Sequence, residues 1–110
     1  MRQIVIMNVL LGFIMAIISI PMILKMIKPN HFYGFRVKRT LENPEIWYQV
    51  NEFSGKQLFV AGIAIILLAI GLSLILNLDL QTYSLITAGI NIILLLVALI
   101  RSVHYLNSLD

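Results

Sequence analysis

The side chains with chemical capability are few, and most stand between residues 25 and 56. Asn30, Tyr33, Gly34, Arg36, Trp47 and Asn51 bring together a guanidinium fork, two aromatic faces and two amides that both donate and accept. Such a set suits a lipid headgroup, an anionic ligand or the fixation of a loop. Arg36 is the expected anion-pairing group and Tyr33 and Trp47 the aromatic walls, while Gly34 permits a backbone turn that a side chain would block. The set does not suit catalysis. His31 and His104 are isolated and lack metal-binding spacing, and Ser19, Ser54, Ser73 and Ser84 have no His or Lys at a recognisable motif spacing. With no cysteine and no phosphate-cradling glycine loop, the chain is expected to be no enzyme and to hold neither metal nor cofactor.

The elements that must position these residues follow from composition. Of 110 residues, 60% are apolar and 12% charged, against roughly 45–50% and about 25% in soluble domains. A mean hydropathy of +0.96 agrees with a membrane protein of one domain, residues 1–110. Three uncharged apolar runs, Ile4–Leu24, Leu58–Leu78 and Tyr83–Ile100, approach the ~20 residues that a helix needs to cross about 30 Å of hydrocarbon. The first is longer than the apolar core of a signal peptide, and Lys25 and Lys28 follow it in place of a small-residue cleavage site. It is read as an uncleaved span.

The net charge of +3 is a topology signal here, with no direct nucleic-acid partner expected. Lys25, Lys28, Arg36, Lys38, Arg39 and Lys56 all lie between the first two runs, and the segment Asp79–Thr82 has no base. Basic loops stay in the cytoplasm, which predicts the N-terminus outside and the C-terminus inside.

The segment 25–57 divides at Asn43-Pro44. Its first part, with Pro29 near the start and Gly34 in the middle, reads as an ordered loop at the membrane surface. Asn43 as N-cap, Pro44 at the first helical position and Glu45 in the first turn then mark a helix start. Ile46, Val50 and Phe53 recur at i, i+4, i+7, giving an amphipathic helix that either lies in the interface, with Trp47 and Tyr48 at headgroup depth, or runs on into the second span with Gly55 as the place for a bend. The fold expected is all-α: an integral membrane protein of three transmembrane helices with an amphipathic helix in the loop between the first and second. Its plainest role is a basic, aromatic surface held to anionic membrane lipid.

The run Pro29-Asn30-x-x-Tyr33-Gly34-Phe35-Arg36, then Thr40-Leu41, Trp47, Asn51, Gly55-Lys56 and Gly62, resembles the signature of the SdpI family of bacterial multi-span membrane proteins, named for immunity to a secreted toxic peptide. The resemblance implies protection against a membrane-active toxin, and in the namesake system the capture of a cytoplasmic transcriptional repressor once toxin is present. It makes Asn30, Tyr33, Gly34, Phe35, Arg36, Trp47, Asn51 and Gly55 the candidate binding residues. Longer relatives carry further spans before the signature, and Val37 stands where Thr commonly follows the arginine.

Within the spans, Asn8 and Asn91 are the most polar groups and are expected to face other helices, since an unpaired amide is costly in hydrocarbon. Gly12 with Ala16, and Gly55, Gly62 and Ala69 at intervals of seven, allow close helix approach, within the chain or in a homo-oligomer. A small multidrug exporter would need a carboxylate in the membrane, and Glu42, Glu45, Glu52, Asp79 and Asp110 all lie outside the runs. Two readings remain: an immunity and binding protein, or a structural or regulatory subunit that docks to a larger membrane partner through its small-residue faces.

Overall fold

A computed structural model describes residues 1–109. Four helices are present in the order α1 (Arg2–Ile23), α2 (Lys38–Glu42), α3 (Pro44–Ile75) and α4 (Leu80–Ser108), with no strand among the described residues. Three of them are long and apolar enough to span a membrane. The molecule measures 49 × 22 × 19 Å, so it exceeds the ~30 Å hydrocarbon layer along its length. Large apolar side chains such as Phe13, Leu67, Leu85 and Ile93 stand outward around the bundle. In water such a surface would be untenable; in lipid it is the solvated one. The protein is a multi-pass membrane protein.

α1 ends where its sequence stops supporting it. Pro21 removes one backbone donor two residues before the last helical position. Lys25 then takes a left-handed conformation (φ 59°), with its N–H donating to the Met22 carbonyl and the Met26 N–H to that of Pro21. These two bonds are the Schellman arrangement, here built on lysine instead of the usual glycine.

α3 starts as predicted: the Asn43 side-chain oxygen accepts from the N–H groups of Glu45 (3.0 Å) and Ile46 (3.4 Å), and Pro44 opens the helix. The expected amphipathic helix of the loop is, however, no separate element. α3 runs unbroken for 32 residues, about 48 Å at 1.5 Å per residue. No proline follows Pro44, and the helix continues through Gly55, whose missing Cβ is used for packing. A Cβ there would lie 3.0 Å from Met22 Cβ and 3.1 Å from the Ser19 carbonyl oxygen. The face of Ile46, Val50 and Phe53 meets protein and not headgroups. Ile46 and Val50 cluster with Leu106, flanked by Phe35, Tyr105 and Leu109, and Phe53 stacks on Tyr105 with ring centroids 4.3 Å apart.

α3 is the central helix, packed against α1 on one side and α4 on another. At the α1–α3 crossing the predicted small residues meet: a Cβ on Gly62 would lie 2.5 Å from the Gly12 carbonyl oxygen and 3.1 Å from the Ala16 nitrogen. Met15, Ala61 and Ile65 fill the core beside it. α3 ends at Ile75, short of the expected Leu78, and Asp79 caps α4 by accepting from the Thr82 N–H at 3.3 Å.

Candidate functional site

The loop between α1 and α3 is fixed by its own polar side chains. Asn30 Oδ1 accepts from the N–H groups of Phe32 (2.8 Å) and Tyr33 (2.7 Å), while its Nδ2 donates to the Lys28 carbonyl at 2.7 Å. That closes an Asx turn, for which asparagine is suited by its short amide. The Tyr33 hydroxyl then donates to the Ile18 carbonyl of α1, and the Trp47 indole N–H of α3 donates to the Ile27 carbonyl at 2.7 Å. Trp47 is wholly buried. It is a post on which the chain leaving α1 is hung.

Asn51 completes the frame. Its Oδ1 accepts from the Phe35 N–H at 2.6 Å, and its Nδ2 donates to the Trp47 carbonyl (2.9 Å) and, at 3.4 Å, to that of Phe35. The buried amide therefore satisfies both backbone groups of one loop residue, as a paired strand would. Gly34 passes directly over it with φ +105°, and a Cβ there would sit 2.5 Å from Asn51 Oδ1. Glycine is required twice, for the dihedral angle and for the approach. Thr40 ties the far side: its hydroxyl accepts from the Val37 N–H at 3.0 Å and has the carbonyls of Phe35 and Val37 within 3.1 Å. A threonine thus supplies the hydroxyl bond that Val37 itself lacks.

Of the candidate residues, Asn30, Tyr33, Gly34, Phe35, Trp47 and Asn51 are brought together, and their polar groups are turned inward onto the frame. Gly55 lies apart, in the α1–α3 contact. Arg36 stays exposed, with Nε donating to the Gly34 carbonyl at 3.3 Å and one terminal nitrogen to that of His31, so part of its fork faces outward. Phe32 is 90% exposed. Beneath this loop, Ile18, Met22, Ser54 and Leu58 line a groove of about 320 Å³ roofed by Phe32, Tyr33, Gly34 and Phe35. Ile18 and Leu58 belong to apolar stretches of α1 and α3.

Sequence reasoning missed Arg39, which it counted only as a topological charge. Its guanidinium donates to the Leu106 carbonyl at 2.9 Å and to that of Leu109, capping the last turn of α4 where carbonyls lack helical partners. A separation of 67 residues left no local signal. Glu52 is held between Lys25 (3.5 Å) and Lys56 (3.6 Å) on the same surface. At the other end, Asn91 Nδ2 donates to Asn8 Oδ1 at 2.7 Å, and Asn8 Nδ2 donates to the Ile4 carbonyl (2.9 Å) with Thr87 Oγ1 at 3.5 Å. The two predicted packing amides therefore find each other across α1 and α4. No cluster of potential metal ligands occurs among the described residues.

Fold and site together define a small multi-pass helical membrane protein with a rigid, motif-built loop at one end of its bundle. Residues 26–102 match the SdpI/YfhL protein family, and the chain belongs to that family. The match takes in the loop, α3 and most of α4. Membership points to a membrane protein of the immunity type. No curated protein and no solved structure matches the chain.

Proposed function

We propose that the protein protects its host against a secreted, membrane-active peptide, and that a peptide lying in the bilayer engages the groove beneath the signature loop. The observation that carries this reading is the construction of that groove: its walls are spanning-helix residues Ile18 and Leu58, and its roof is the motif run Phe32-Tyr33-Gly34-Phe35. A secreted toxin arrives from outside while the basic loop is assigned to the cytoplasmic side. A groove walled by such residues lets an inserted peptide reach the loop without crossing into the cytoplasm. The outward His31, Phe32 and Arg36, held on a fixed frame, then form the face offered to a cytoplasmic partner, which by family resemblance is a transcriptional repressor.

The rival reading, a subunit docking through small-residue faces, loses its motivation. Gly12, Gly55 and Gly62 are consumed within the chain, and Ala69 is buried with its carbonyl accepting from the Tyr83 hydroxyl at 2.8 Å. Expression in a peptide-sensitive bacterium tests the proposal. Survival is expected to rise with the wild type and to fall back when Ser54→Leu or Leu58→Trp fills the groove, with membrane insertion unchanged. Absence of protection by the inserted wild type against every cognate peptide overturns it.

A further inference from the structure

α4 carries a single charged residue along its 29 positions, Arg101, seven residues before the helix ends. A guanidinium just past an apolar run extends toward the interface, where an anionic headgroup can meet it. Among the described residues Arg101 makes neither an ion pair nor a hydrogen bond. Of the two acidic side chains of α3, Glu45 and Glu52, the second is held by Lys25 and Lys56. Arg101 is exposed and borders a groove of about 390 Å³ between α3 and α4, lined also by Phe53, Ile100, His104, Tyr105 and Ser108.

The lining mixes apolar and polar groups, with Ile100 at the end nearer the middle of the span. Ile100 and the stacked rings of Phe53 and Tyr105 make an apolar floor, and Arg101, His104 and the Ser108 hydroxyl form a polar rim without any carboxylate. This rim lies at the loop-bearing end, beside the segment that holds six of the eight bases. An acyl chain matches the apolar side chains, and a phosphate matches a guanidinium that has no partner among the described residues. We infer that the α3–α4 groove is a binding site for one anionic phospholipid, with Arg101 on its phosphate, Phe53 and Tyr105 beside its headgroup and Ile100 against its upper acyl chain. The site is separate from the groove beneath the signature loop, which lies between α1 and α3.

The test uses the full chain in mixed micelles of phosphatidylglycerol and phosphatidylcholine in equal amounts, with bound lipid counted by native mass spectrometry. Wild type is expected to retain phosphatidylglycerol preferentially, and Arg101→Gln to lower that preference about fivefold, as loss of one basic contact at a membrane surface implies. Arg2→Gln, at the other end of the bundle, should leave it unchanged. The double change Leu99→Arg with Arg101→Gln keeps a base at similar depth on another face of α4. If the groove is the site, preference stays low; if it returns to the wild-type level, any base at that depth suffices and the proposal fails. Equal retention of the two lipids by wild type overturns it as well, as does displacement of the lipid by excess inorganic phosphate.

Discussion

The two seams of the bundle are built on different physics. Along α1–α3 the backbones touch: Gly12 and Gly62 each present the other with a carbonyl oxygen, and Gly55 lies against Ser19 and Met22. Along α3–α4 the contact is made by side chains, with the buried Tyr83 hydroxyl on the Ala69 carbonyl near the short turn and Phe53 stacked on Tyr105 near the loop. Lipid tails are as apolar as leucine, so helices in a membrane associate through close packing and a few polar ties. The glycine seam uses the first means over its whole length and is intolerant of added atoms. The aromatic seam uses spaced ties and leaves a groove between them.

Enlarging the glycine seam is therefore the harshest way to break the comparison. Gly62→Leu must push α1 away from α3, at or above the ~1–3 kcal/mol of ordinary overpacking, whereas Phe53→Leu on the other seam forfeits only about 1 kcal/mol of ring stacking. Unfolding midpoints in detergent should rank the two in that order; equal losses would erase the distinction. Trp47→Ala empties the post under the loop and should cost about 3–5 kcal/mol. Limited trypsin digestion should then cut at Arg36, Lys38 and Arg39, which the wild-type frame protects.

A polar change separates the loop from the seams. Asn51→Leu strands the Phe35 N–H and leaves the Phe35 carbonyl to the Thr40 hydroxyl alone, for a loss of about 1–3 kcal/mol that Asn51→Asp only partly relieves, since a carboxylate accepts but cannot donate. Between the spanning helices the same kind of deletion is milder. Tyr83→Phe and Asn91→Leu should each cost about 0.6–2 kcal/mol, because interhelical hydrogen bonds in lipid contribute little net energy. Steric-trapping measurements of dissociation in bicelles would resolve them, and a loss as large as that of Gly62→Leu would show that polar ties, not packing, hold the bundle.

The smallest effect falls on the turn that joins α3 to α4. The hydrogen bond from Thr82 holds the Asp79 carboxyl below its ordinary value near 3.8, so the folded state prefers the ionised form. Its stabilisation is complete above that ordinary value and fades as pH falls through it toward the folded one. The protection factor of the Thr82 amide, taken against the intrinsic exchange rate at each pH, should therefore fall below about pH 4 in the wild type. Asp79→Asn should remove that pH dependence and leave both seams unaltered.

Much of the molecule was legible residue by residue. Hydropathy runs revealed the three spans, and the Asn43-Pro44-Glu45 start fell where α3 begins, because capping is local chemistry. The pairing of Asn8 with Asn91 was anticipated only in kind: each needed a partner, but 83 residues of separation hid which one. The candidate site was legible as a cluster, with binding and loop fixation both open as its role. Tyr33, Trp47 and Asn51 have the side chains of a ligand pocket, and the same donors and acceptors serve equally well to tie down a loop.

The sequence by itself determined that this chain crosses a membrane three times, where its charges gather, and that an SdpI-type motif lies among them, since burial in lipid and helix capping depend on nearby residues alone. Only the tertiary structure decided that the loop's amphipathic helix is the end of a spanning helix, that Arg39 caps α4, and that the motif's polar groups face inward beneath an exposed Phe32 and Arg36. Those outcomes depend on which backbone carbonyl stands within reach of which donor, and that distance exists only once α1, α3 and α4 have packed.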